Sequence, residues 1–170
     1  MNPGKGVNYF VDMIILILTV LISWSGLSLQ IAFHMHRNDP AFIYMHFNKM
    51  EWLLIHKGLS VAITIGIIIH IAMHSAWLKN AFKDMAFLKS GYKNKSLFYL
   101  FASFSISAAL GFISWLFTGI LSVGDPGFRH GLMEFHEKVS YIFVILFVVH
   151  FIKKIKWLFN TTTEMIFVKK

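Results

Sequence analysis

Apolar residues run along this chain in long uncharged stretches, and the charges fall in short clusters between them. From Tyr9 to Leu29 the chain has 21 residues with Asp12 as the one charge. At about 1.5 Å per residue that length crosses a hydrocarbon core of about 30 Å. This is the first expected transmembrane helix, about 9–30. A cleaved signal peptide fits less well, because the apolar run is too long and no small-x-small site follows it. A second span is expected over about 50–78, Met50 to Leu78, with the stretch from Gly58 to Leu78 free of charge. The third, about 96–121, is the clearest: no charge occurs between Lys95 and Asp125, so Ser96 to Leu121 crosses easily, and Gly124, Pro126 and Gly127 read as its closing turn. Between Lys138 and Lys153 only Val139 to Ile152 is uncharged. A fourth span over about 135–159 therefore requires Lys153, Lys154 and Lys156 to snorkel at the membrane edge. The expectation is all-α: an integral membrane four-helix bundle in a single domain, 1–170.

Charge sets the orientation. Lys5, the cluster Lys79, Lys83, Lys89, Lys93 and Lys95, and the carboxyl-terminal Lys153, Lys154, Lys156, Lys169 and Lys170 lie on one side; Arg37, Lys49, Lys57, Arg129 and Lys138 lie on the other. The richer side faces the cytoplasm, so both termini are expected there, in a prokaryotic cytoplasmic membrane. The second and fourth helices then run in the same direction. Trp52, Trp77 and Trp157 fall near span ends, where an aromatic belt belongs.

Composition agrees and adds exclusions. With 56% apolar and 14% charged residues, the chain has too little polar surface for a soluble globule. Its formal charge of +8 suits lysines in loops against an anionic membrane surface, and no nucleic acid is expected. There is no cysteine. Disulfides, iron-sulfur clusters, a thiol nucleophile and covalent c-type haem are therefore excluded for these residues. Nine histidines remain to be explained.

Four of them recur in register. His56 and His70 are 14 residues apart, and so are His136 and His150. Fourteen residues turn through about 1,400°, about 40° short of four full turns, and rise about 21 Å. Each pair thus shares a helix face, with one histidine toward each membrane surface. With helices two and four parallel, His56 faces His136 at the outer level and His70 faces His150 at the inner. The flanks repeat as well: Trp77 and Trp157 follow His70 and His150 by seven, and Asn80 and Asn160 follow them by ten. Trp24-Ser25-Gly26 in the first helix is echoed by Phe117-Thr118-Gly119 in the third. A two-helix unit used twice builds a site at its own interface.

A lone intramembrane histidine is ordinarily a hydrogen-bonded helix contact. Matched pairs ask for more. Zinc needs four converging ligands, whereas these split into two pairs about 21 Å apart. Copper stays open, although no methionine or carboxylate recurs in register. Haem iron takes two axial ligands on opposite faces of a flat macrocycle in an apolar slot. Two bis-histidine haem b groups, His56 with His136 outside and His70 with His150 inside, are the expected cofactors.

With these histidines, and Trp52-Leu53-Leu54-Ile55 before the first, the chain resembles the four-helix di-haem cytochrome b superfamily, whose parallel second and fourth helices carry histidines in an H-x13-H pattern. The resemblance covers about Tyr9 to Phe159. By size it is similar to the cytochrome b subunits that anchor formate dehydrogenases and hydrogenases, and to a short family encoded beside flavinylated or multihaem carriers. It is shorter than the hydrogenase type, lacks a fifth helix, and lacks the quinol-site signatures of the bc-complex cytochrome. The resemblance implies a membrane cytochrome subunit passing electrons between the quinone pool and a peripheral redox partner (an iron-sulfur, flavin or multihaem cytochrome c protein) in a respiratory complex. A stand-alone transmembrane reductase, or a non-redox membrane protein handling metal or protons, are the alternatives.

Other residues carry weaker expectations. His74 lies one turn beyond His70 on the same face; the matching position in the other unit is Lys154, which favours His70 as ligand. His74 then belongs near a haem propionate or a quinone head group. Gly26, Gly58, Gly66, Gly111 and Gly119 permit either close approach of a porphyrin or ordinary helix packing. Arg129, Lys57, Lys138 and His130 are candidates for the outer propionates. Asp12 reads as an interfacial residue near a helix start, or as part of a quinone proton relay. His34, His36 and His46 fit a docking surface, a quinol site, a further metal site or a polar loop.

Overall fold

The computed structural model describes residues 3–36, 39, 41–89, 94–117 and 125–167. It is helical, and the described residues include no strand beyond a bridge between Tyr44 and Phe47. The main helices are α1 (Pro3–Leu27), α2 (Lys49–Met73), α3 (Ser75–Phe82), α4 (Lys95–Trp115) and α5 (Pro126–Phe167). A π-helical turn, Ser28–Ala32, prolongs α1, and a 3-10 segment, Lys83–Leu88, follows α3. Three stretches are long and apolar enough to cross a membrane: Gly6–Ala32, Lys49–Met73 and Lys95–Trp115. A helix covers the fourth expected span, 135–159, but runs well past both of its ends, over Pro126–Phe167, and the 14 uncharged residues before Lys153 fall short of the roughly 20 that a crossing needs.

Two compact units divide the chain, Met1–Met73 and His74–Lys170. In the first, α1 packs antiparallel on α2 in a constant register. Asp12 meets His70, Ile15 meets Gly66, and Ser25 and Gly26 meet His56, so each pair of numbers adds to 81 or 82. In the second, α4 packs on α5, and Phe104–Phe143, Ser107–Ser140, Gly111–His136 and Ser114–Met133 all add to 247. Small residues on one face of α4, Ser103, Ser107, Gly111 and Ser114, sit three or four apart and let the backbones approach. Exposed apolar side chains such as Phe10, Ile17, Leu54 and Ile68 cover the outer faces of α1 and α2, which suits contact with lipid.

Several boundaries differ from expectation. The second span ends at Met73, because His74 leaves helical geometry (φ −117°, ψ 26°) before α3 begins. Pro126 and Gly127 do not close a turn. Asp125 caps α5: its Oδ2 accepts from the Gly127 and Phe128 N–H groups at 2.9 and 3.3 Å, and Pro126 fills the first helical position, where its missing N–H costs nothing. Gly119 and Gly124 lie outside the described residues. The α4–α5 register also places α5 beyond residue 152 past the start of α4, so Lys153, Lys154 and Lys156 stand on a helical overhang rather than within the packed pair.

Asn48 and Glu51 cap α2 reciprocally. Asn48 Oδ1 accepts from Met50 and Glu51 N–H at 2.9 and 3.0 Å, while Glu51 Oε2 accepts from Asn48 N–H at 2.8 Å. Just before it, Tyr44 and Phe47 exchange backbone hydrogen bonds of 2.9 and 3.1 Å around Met45 (φ 49°) and His46 (φ 70°), a tight turn built without glycine. Trp52, 6% exposed, holds it by donating its indole N–H to Tyr44 O at 2.9 Å and packing on Tyr44 and Phe47. Trp52 is thus an internal brace, not a belt residue. Asn48→Ala is expected to cost about 1 kcal/mol. A lowered thermal midpoint in detergent micelles, followed by far-ultraviolet circular dichroism, checks this.

Candidate functional site

An imidazole carries two nitrogens, and the partner of one decides the chemistry of the other. On α2, His56 Nδ1 lies 2.9 Å from Ser25 Oγ of α1. Ser25 is fully buried and its single hydroxyl proton goes to Ile22 O at 2.9 Å. With that proton on Ile22 O, the Ser25 oxygen is placed to accept from the His56 tautomer that carries its proton on Nδ1 and its lone pair on Nε2. On α5, His136 Nδ1 lies 2.9 Å from Ser107 O of α4. A carbonyl only accepts, so this ring has the same tautomer.

Serines one turn later complete a matching frame. Ser60 Oγ donates to His56 O at 2.7 Å, and Ser140 Oγ donates to His136 O at 2.7 Å. Ser140 also receives the Ser107 hydroxyl at 2.7 Å. Room for the rings comes from glycine on the facing helix. A Cβ on Gly26 would stand 3.4 Å from His56 Cε1, and one on Gly111 would stand 3.1 Å from His136 Cε1. Gly66 instead receives Ile15 and Leu18 of α1, the ordinary packing role, and Gly58 faces open space.

At the other end of the first unit, His70 Nδ1 approaches Asp12 Oδ1 to 2.8 Å. Oδ1 is buried and receives no aligned hydrogen bond, so the contact is at ion-pair distance but off the N–H axis. Asp12 lies nine residues into α1, within the candidate span Gly6–Ala32, against an imidazole. His74 follows the end of α2, and Asp12, His70 and His74 each offer a ligand atom within 4.8 Å of the others, a set that suits a divalent cation. His150 lies half-buried on α5, 14 residues of unbroken helix beyond His136.

Arg129 stands seven residues before His136 on α5, two turns away on nearly the same face. Its Nε is buried with no hydrogen-bond partner among the described residues. A buried, unanswered guanidinium N–H is a vacancy for an anion. Lys138, by contrast, is engaged with Glu134 at 2.7 Å on the exposed face, so it leaves the propionate candidates. In the segment before α2 His36 stacks on Phe42 (centroids 3.8 Å apart) and hydrogen-bonds Ala32 O at 2.8 Å, while His46 occupies the tight turn. These serve the fold of the loop. The His34 side chain lies outside those described.

The structure therefore joins His56, His70 and His136 each to the helix before it, within its own unit. The serine partners were not anticipated, although the H-x3-S repeat at 56/60 and 136/140 is plain in the sequence. Comparison of the chain with protein-family models, curated proteins and solved structures found no match.

Gly111→Ala is expected to destabilise by about 1 to 3 kcal/mol through the clash with His136. Gly58→Ala, with open space, is expected to gain about 0.5 to 1 kcal/mol from helix propensity. Thermal unfolding of both variants in micelles reads the contrast, and equal shifts would remove Gly111 from the ring cradle.

Proposed function

We propose that the chain is a membrane di-haem b-type cytochrome similar to the four-helix cytochrome b anchors. In this reading α1, α2, α4 and α5 form the four-helix bundle, His56 and His136 ligate an outer haem, and His70 and His150 an inner one. The observation that carries it is the shared anchoring of Nδ1: in His56 and in His136 that nitrogen lies 2.9 Å from an oxygen of the preceding helix, the arrangement by which proteins turn Nε2 toward a metal. The surroundings fit the group as well. Gly26 and Gly111 leave the rings room, and the Nε of Arg129, two turns from His136 and unanswered among the described residues, suits a propionate.

Bound haem supplies reversible one-electron chemistry. The chain's own residues do the rest. Ser25 and Ser107 orient the outer rings, Asp12 engages an inner one, and the apolar helices keep water from the electron path. In this reading the protein acts as the membrane subunit of a respiratory complex, between the quinone pool and a peripheral iron-sulfur, flavin or multihaem cytochrome c partner. Its place is a prokaryotic cytoplasmic membrane with both termini cytoplasmic, from the lysine distribution.

One observation favours a second reading, a non-redox protein binding a divalent cation: the convergence of Asp12, His70 and His74. A reduced-minus-oxidised spectrum with pyridine haemochrome quantitation separates the two. Two protohaems per chain are expected, with at least one lost in His136→Ala. Fewer than one per chain, or no loss in that variant, would sink the di-haem reading; colourless protein with one tightly held zinc or copper ion per chain would favour the second.

A further inference from the structure

Lysine is concentrated at one end of the second unit, His74–Lys170. The sequence of 74–95 and 150–170 holds ten lysines against two acids, Asp84 and Glu164. The fold brings the two stretches to one level. The pairs that add to 247 set residue 152 opposite Lys95, the first residue of α4, so Lys153, Lys154 and Lys156 follow where α4 begins. Phe87 stacks on Phe98, in the first turn of α4, with centroids 4.1 Å apart, and Phe82 meets the same ring at 5.8 Å. These rings, with the fully buried Ala81 beside Phe82, hold the end of α3 and the Lys83–Leu88 segment at that same end of the unit.

Around this aromatic anchor the side chains divide. Lys79, Lys83, Lys89, Lys153, Lys154 and Lys156 are exposed. Between the first three stand apolar side chains that are exposed as well: Phe82 at 55%, Met85 at 62% and Leu88 at 65%. Lysines in a solvated loop need no such neighbours. Apolar tips interleaved with amines belong to an element lying in the plane of a bilayer surface, where the tips enter the acyl boundary and the long amine stems reach back to the phosphates. α4 is a candidate span that starts at Lys95, so a segment packed on its first turn stands at headgroup level. An acidic protein surface would answer the lysines and leave Phe82, Met85 and Leu88 in water; a leaflet answers both.

We propose that this end of the second unit is a docking surface for anionic phospholipid headgroups, with the lysines of 79–89 and 153–156 at the phosphates and Phe82, Met85 and Leu88 in the acyl boundary. The attraction is charge against charge, so it weakens as salt screens it. It also bears on α5. Phosphates gathered at Lys153, Lys154 and Lys156 set the headgroup level at the end of the short uncharged run that precedes them.

The full chain in nanodiscs of phosphatidylcholine, with phosphatidylglycerol as the minor component, tests this. Lipid retained after mild extraction into neutral detergent is quantified by mass spectrometry. Phosphatidylglycerol is expected to be enriched about threefold or more over the starting mixture, and to return toward it at about 1 M salt, where the Debye length is about 3 Å. Two triple variants, Lys79→Gln with Lys83→Gln and Lys89→Gln, and Lys153→Gln with Lys154→Gln and Lys156→Gln, are each expected to reduce the enrichment. Lys49→Gln with Lys57→Gln and Lys138→Gln removes the same charge and is expected to keep it. Retention in either of the first two, or an equal loss in the third, overturns the proposal. Displacement of the lipid by inorganic phosphate at matched ionic strength would mark a free-anion site and overturn it too. Because the chain has no cysteine, Met85→Cys gives a single place for a nitroxide label. The label is expected to be more accessible to oxygen than to a water-soluble nickel complex. The reverse order, with no lipid enrichment, leaves the lysines to an acidic protein and overturns the assignment to lipid.

Discussion

An imidazole set in an apolar helix must place its N–H on a partner, because no water is at hand and an unanswered polar group there costs several kcal/mol. The rest of the structure is arranged around that demand. Ser25 and Ser107 stand on the helices before His56 and His136, and both are buried. Their positions require the antiparallel registers of the two hairpins, and those registers bring Gly26 and Gly111 against the same rings. Shifting either register by one residue would rotate the serine off the contact and turn a side chain into the ring. Helix packing and ring orientation are one constraint seen from two sides.

The helices and the histidine repeat were legible in the sequence for simple reasons. Uncharged runs of more than 20 residues have few structural outcomes, and a separation of 14 on a helix fixes a shared face without knowledge of any neighbour. What the sequence hid depends on contacts between helices. Asp125-Pro126-Gly127 reads as a turn by composition, yet the same residues are a cap, a first helical position and a first-turn glycine, a distinction set by where α5 begins. Trp52 reads as a belt residue by its place in the chain, but the turn at Tyr44–Phe47 folds back over it. Among the described residues the glycine that meets His136 is Gly111, a position the sequence repeat does not single out, because the α4–α5 register sets the opposition.

The segment before α2 shows how strain is compensated locally. Met45 and His46 hold left-handed geometry that side chains resist, at a cost of about 1 to 3 kcal/mol each. Two backbone hydrogen bonds, the Trp52 indole and the rings of Tyr44 and Phe47 offset it. The Asn48–Glu51 cap follows at once, so the entry to α2 is held from both sides, and His56 stands two turns further on.

Each hairpin answers its own ring, through Ser25 in one and Ser107 in the other. Such a unit settles its tautomer without waiting for a neighbour, so it is chemically serviceable as soon as it is made. That is the property a segment needs in order to be copied within a gene and kept. Two descendants of one hairpin would begin with matching rings, and drift in the partner atoms, from hydroxyl to carbonyl to carboxylate, would then be the route by which an inherited symmetry acquires a direction.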